Sequence, residues 1–245
     1  MLSREADIAH RYMLAKRAVL AAGFDHEIDW QDSVRIVDTT EQVFLREAAW
    51  VVLCSGMREN VVRSKFPAIS QSFFGWHSSH QIAKASSLCR SSALEHFANI
   101  KKVDAIITIC STIAEEGVAS ILRTLQEDGP SSLTRLPFLG PITSIHLAKN
   151  LGLAIAKPDR HLVRAAEFHG FPSPESLCST ISDLTGDSIA VVDIVLWRYA
   201  ATWKDLPLER VLHWFISEGK LPSGDLTLLR SWLRGELGRK HLSQN

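Results

Sequence analysis

Apolar residues recur along this chain at intervals of three and four, the spacing that lines up one side of a helix, and almost nowhere at intervals of two. Residues 4 to 22 predict an alanine-rich helix stopped at Gly23. Phe24 to Val37 lacks that period and reads as irregular or extended. Thr39 with Gln42 forms a capping-box start for a helix that buries Phe44, Ala48, Val51 and Val52 and ends at Cys54-Ser55-Gly56-Met57. Arg58-Glu59-Asn60 opens the next helix, which reaches about Phe74, and the aromatic cluster Phe73-Phe74-Gly75-Trp76-His77 at its end suits a core better than a pocket wall. Ser78 to Phe97 is polar and then helical. A strongly amphipathic helix follows, with Val103, Ile106, Ile107, Cys110 and Ile113 on one face, and another, Val118 to Glu127, breaks at Asp128-Gly129-Pro130. Beyond Arg164 the pattern predicts a helix ending at His169-Gly170, one starting at Ser173-Pro174-Glu175 and one capped by Asp187. Two more are expected at about 207 to 218 and 225 to 237, the last setting Leu226, Leu229, Leu233 and Leu237 opposite Arg230 and Arg234. The expected fold class is all-α.

The stretch from Leu133 to Arg164 carries the chemistry. It starts as a short helix, turns through Pro137-Phe138-Leu139-Gly140 and restarts at Pro141, whose fixed φ and missing N–H suit the first helical position. Gly140 lies where a tight interhelical turn most needs positive φ. The amides that open the second helix lack intrahelical partners and can face an anion, of which a phosphodiester is the natural one. Leu153 to Ala156 then leads to Lys157-Pro158-Asp159, where proline disfavours helix for Lys157 and Asp159 can cap the helix that follows.

The string L-P-x-L-G-P, a second helix, and then Asp159-Arg160-His161-Leu162-Val163-Arg164 as D-x-H-x-x-R resembles the helix-hairpin-helix/Gly-Pro-Asp superfamily of base-excision DNA glycosylases, the endonuclease III and AlkA-like enzymes. Asp159 follows Leu136 at close to that family's spacing between hairpin and catalytic aspartate. The resemblance implies a bilobal fold with an active-site cleft between two helical lobes, residues 41 to 152 forming one lobe and residues 1 to 40 with 153 to 245 the other. It implies Asp159 as the catalytic carboxylate in that cleft. Leu136, Phe138, Leu139, Gly140, Ile142 and Thr143 would form the DNA-gripping hairpin, with Lys157, His161 and Arg164 near the strand. The loop between the second and third predicted helices would supply a wedge that fills the gap left by an extruded nucleotide, here Met57 with Arg58 or Asn60 beside it; the competing reading is that Met57 plugs the core.

Two positions depart from the family. Phe138 stands where the hairpin usually has glycine, and Ile142 stands where bifunctional members carry a Schiff-base lysine. Isoleucine cannot attack a sugar as an amine, so the expected enzyme is monofunctional, with Lys157 as the alternative lyase nucleophile. A non-catalytic hairpin DNA-binding protein and an all-α interaction module are the competing classes.

Composition narrows this further. The 245 residues are 46% hydrophobic, enough for a substantial core, and 27 Lys plus Arg balance 27 Asp plus Glu. No global positive field announces a nucleic-acid partner, so DNA affinity must come from a local patch and backbone amides. The four cysteines are scattered, with no C-x-x-C, which argues against a zinc site and against the iron–sulfur cluster of some relatives, and fits free thiols in a reducing compartment. No metal site or cofactor is expected beyond a monovalent cation that the family's hairpin backbone can hold. No apolar run approaches the length of a membrane span, and the charged N-terminus does not read as a signal peptide. The expected partner is duplex DNA containing an abnormal base, met by a monomer in a bacterial cytoplasm or a eukaryotic nucleus.

Overall fold

The computed structural model describes residues 4–203 and 207–221. Every regular element among them is helical: α1 (Arg4–Ala21), α2 (Asp25–Ser33), α3 (Glu41–Cys54), α4 (Glu59–Ser72), α5 (Ser79–Lys84), α6 (Ser86–His96), α7 (Ile100–Glu116), α8 (Val118–Asp128), α9 (Pro141–Asn150), α10 (Arg160–Phe168), α11 (Pro174–Thr185), α12 (Ile189–Trp203) and α13 (Leu208–Ser217). Short 3-10 turns cover Ile36–Asp38, Phe74–Trp76 and Pro130–Arg135. The helix expected at 225 to 237 lies outside the described residues. No single described helix is long and apolar enough to cross a membrane.

The described residues fall into two compact units, one drawn from Met1–Ser33 and Pro158–Asn245, the other from Val34–Lys157. The boundaries thus differ from 40/41 and 152/153. Ile36, Leu153 and Ile155 all pack on the core of the 34–157 unit, and that attachment sets them in it. Gly152, at φ 97°, allows the approach: a Cβ there would lie 2.7 Å from the Ile36 nitrogen.

The 34–157 unit is organised on α3 and α7. Phe44, Ala48, Val51 and Val52 are fully buried, as their spacing predicts, and meet Val103, Ile106, Cys110 and Ile113 of α7 in one core. The cap of α3 is Thr40 rather than Thr39: its Oγ1 accepts from the Val43 amide at 3.3 Å. Gln42 does not complete a capping box, because its amide reaches across to donate to the Gly75 carbonyl at 2.9 Å. Phe73 and Trp76 stack in the core with ring centroids 4.7 Å apart, which settles the aromatic cluster as structural. At the other end of α3, the buried ammonium of Lys102 donates to the carbonyls of Leu53 (2.7 Å) and Ser55 (2.5 Å), satisfying the last turn and fixing the loop that follows. Burial pushes the Lys102 pKa down. One further link crosses to α9, where Asn150 donates to the buried Glu47 carboxylate at 3.0 Å.

In the other unit, α1 packs against α11, α12 and α13, and α12 against α2 and α10. Phe24 to Val37 is not irregular: α2 occupies most of it. Its buried residues are Glu27, Ile28 and Gln31, and Glu27 forms a bidentate pair with Arg198 of α12 (2.8 and 2.5 Å) while the Arg198 guanidinium lies over the Phe24 and Trp197 rings. A tertiary ion pair thus supplies what apolar period does not. Asp187 does not cap α12. Ser188 does, its Oγ accepting from the Val191 amide at 3.3 Å. The Asp187 carboxylate instead accepts from the Tyr12 hydroxyl (2.5 Å) and Lys16 (2.7 and 2.8 Å), tying α1 to the turn before α12.

Candidate nucleic-acid interface

The interface candidates begin with the turn from Pro130–Arg135 into α9. Leu133, Leu136 and Leu139 are buried in the core and anchor the turn from below. Leu136 and Leu139 therefore cannot offer side chains to DNA. The positive φ expected at Gly140 is found instead at Phe138 (φ 62°), while Gly140 is extended (φ −78°, ψ −175°). Phe138 thus occupies in left-handed conformation the position where the resembling family carries glycine, and its ring is 40% exposed. Leu139 N closes the turn by donating to the Leu136 carbonyl at 3.2 Å.

Two hydroxyls brace this turn from inside α9. Thr143 Oγ1 shares its one proton between the carbonyls of Phe138 (2.9 Å) and Gly140 (3.2 Å), and Ser144 Oγ shares its own between those of Leu139 (3.1 Å) and Gly140 (2.8 Å). The Gly140 carbonyl also takes the Ser144 amide at 2.9 Å. These carbonyls already meet hydroxyls and an amide of the chain itself, which makes them a poor ligand set for a cation. Among the described residues there is also no group of three or more His, Cys, Asp or Glu suited to a metal.

The amides point the other way. Glycine at the N-cap contributes no side chain, Pro141 has no N–H, and among the described residues nothing accepts from the amides of Gly140, Ile142 and Thr143. Three donors at the positive end of a ten-residue helix are left for an anion. Ile142 sits beside them, 48% exposed.

Asp159 has the opposite arrangement. It is the N-cap of α10, extended at φ −84° and ψ 171°, and its Oδ1 accepts from the amides of His161 (2.8 Å) and Leu162 (3.2 Å). The carboxylate is half-buried. His161, one residue into the helix, is half-buried and its Nε2 accepts from Arg160 Nε at 3.4 Å, whereas Arg164 is exposed. In the loop after α3, Gly56 turns at φ 68° and the Met57 amide donates to the Cys54 carbonyl at 3.0 Å. Met57 is 41% exposed and so does not plug the core; Arg58 and Asn60 beside it are also exposed.

Pattern reading missed one group of residues in the 34–157 unit. His146 lies one turn beyond Ile142 on the same face of α9, and Lys149 continues that face. Desolvation holds the His146 pKa well below its ordinary value, and the charges of Lys157 and Lys149 act in the same direction. Lys157 is also within electrostatic reach of Cys54 at the end of α3, whose thiol burial pushes up to about 12, so that it is no nucleophile at neutral pH. A lone histidine inside a helix gives no signal in sequence; its two basic neighbours, three and eleven positions on, were the available hint. No family model, curated protein or solved structure matches the chain.

Proposed function

We propose that the protein is a monofunctional DNA glycosylase that extrudes a damaged, mismatched or modified base from duplex DNA and hydrolyses its N-glycosidic bond. The observation that carries this reading is the open start of α9, three amides without acceptors behind the braced 136–141 turn, in a chain whose next helix starts on the carboxylate of Asp159. In a protein with no net charge, such a backbone cradle is a route to phosphate that composition does not reveal.

The chemistry follows from what leaves. As the base departs with the bonding electrons, positive charge builds on the deoxyribose, and a carboxylate beside C1′ stabilises it. Asp159 is the residue assigned to that role. The same group orients the water whose oxygen bonds to C1′ and takes the proton that water gives up, while the departing base takes up a proton from solvent, so that one water is consumed. The amides it accepts from keep the carboxylate pointed. Met57 is proposed to fill the vacated stack, an apolar side chain needing no hydrogen-bond partner there. Arg58, Asn60, Lys157, His161 and Arg164 are proposed to meet the strand around it.

The test is a panel of duplexes, each with one abnormal base, incubated with wild type and with Asp159→Asn and then treated with alkali to break the strand at abasic sites. Strand breaks only after alkali, and only with wild type, are expected. Breaks without alkali would make the enzyme a lyase and direct attention to Lys157. Tight binding to distorted DNA with no base release by either protein would leave a non-catalytic hairpin protein.

A further inference from the structure

The face of α9 that begins at Ile142 runs against ordinary amphipathic order. Helices bury apolar residues and expose polar ones. Here the apolar member, Ile142, is 48% exposed, His146 one turn on is half-buried, and Lys149 another turn on is 3% exposed. Polarity rises as the face sinks. The rotation of the helix is fixed by its other sides, where Ser144, Leu147, Ala148 and Leu151 are buried and Asn150 is tied to Glu47, so His146 is not turned inward by slack packing. Among the described residues neither ring nitrogen of His146 has a hydrogen-bond partner. A partly open imidazole with unused nitrogens, flanked by two basic residues and one turn from three unpaired amides, is the composition of a ligand site rather than of a core.

We infer that His146 hydrogen-bonds the edge of the extruded base, and that the base the protein accepts is uncharged. This deepens the glycosylase reading and rests on it. About 6 Å of helix rise separates Ile142 from His146, so a nucleotide whose phosphate sits at the α9 amides has its base within reach of the imidazole. The low His146 pKa supports the role, because a neutral ring offers one donor and one acceptor to a base edge. Lys149 and Lys157 raise the local positive potential at that ring, which suits a neutral or electron-rich base and opposes a cationic alkylated purine.

The experiment measures single-turnover base release from duplexes carrying a neutral abnormal base (uracil or 8-oxoguanine) or a cationic one (7-methylguanine), with wild type, His146→Gln and His146→Phe, alongside affinity for a duplex with a stable abasic-site analogue. Wild type is expected to favour a neutral base by about tenfold or more. His146→Phe is expected to lose about tenfold or more in release while its affinity for the abasic duplex stays within about twofold; His146→Gln, which keeps a donor and an acceptor, retains most of the rate. Three results would overturn the inference: preference for 7-methylguanine, unchanged release by His146→Phe, or equal loss on abasic and base-containing DNA, which marks a structural role. Salt-dependent binding by wild type with no release from any duplex would instead fail the glycosylase reading itself, and this inference with it.

Discussion

Two helix starts in this chain solve one problem in opposite ways. Every helix begins with amides that have no intrahelical acceptor. At α10 the chain supplies its own anion: Asp159 accepts from the amides of His161 and Leu162 and ends the matter locally. At α9 it supplies none among the described residues: Gly140 and Pro141 remove both a capping side chain and a donor, and the amides of Gly140, Ile142 and Thr143 stay open. Meanwhile the carbonyls from Phe138 to Gly140 share the hydroxyls of Thr143 and Ser144. The α9 start is therefore rigid without being satisfied, which is what a backbone clamp for a phosphate requires. At α10 the cap and the proposed catalytic group are one side chain.

Closing the open end should break the comparison most sharply. Gly140 is extended, and a Cβ there meets nothing nearer than Thr143 Oγ1 at 4.0 Å, so Gly140→Asp fits. It should leave stability within about 0.5 kcal/mol and cost about 2 kcal/mol in DNA affinity, with a salt dependence shallower by about one phosphate contact, measured by titrations at several salt concentrations. Next in size, Asn150→Ala leaves the buried Glu47 carboxylate, already pushed up in pKa by burial, without the amide that steadies it. Denaturant melts should show a loss of about 1–3 kcal/mol. Phe138→Gly should move the other way, gaining about 0.4–1 kcal/mol because glycine takes the left-handed conformation without strain, while DNA affinity does not rise. The smallest effect concerns pH. His146 binds its proton less readily folded than unfolded, so stability should begin to fall as pH drops below about 6.5, and His146→Gln should flatten that slope.

Much of this architecture is legible in the sequence because apolar period dictates it. The buried faces of α3 and α7 are the residues their spacing picks out, except that Ile107 is only half-buried. Legibility fails where polar side chains act over long chain distances. Helix α2 is hidden because two of its three buried residues are polar, Glu27 and Gln31, and Glu27 is made tenable by Arg198, 171 positions away. Asp187 looks like a cap until Tyr12 and Lys16 claim it. At the turn itself, residue type misleads: positive φ belongs by habit to Gly140, yet the backbone puts it at Phe138. The L-P-x-L-G-P string and the Asp159 cap are local features and were readable as such. The polar face of α9 was not, since helical spacing alone cannot tell a face that sinks from one that faces water.

The central claim is that Asp159 does chemistry while the α9 start does binding, and one measurement separates them. The rate of alkali-labile site formation is followed at saturating enzyme on the best duplex of the panel, for wild type, Gly140→Asp and Asp159→Asn. Asparagine caps a helix about as well as aspartate, so the fold should hold. Gly140→Asp should reach close to the wild-type rate once saturated, whereas Asp159→Asn should bind as well as wild type and react at least about 100-fold more slowly. Release by Asp159→Asn at the wild-type rate would contradict the claim.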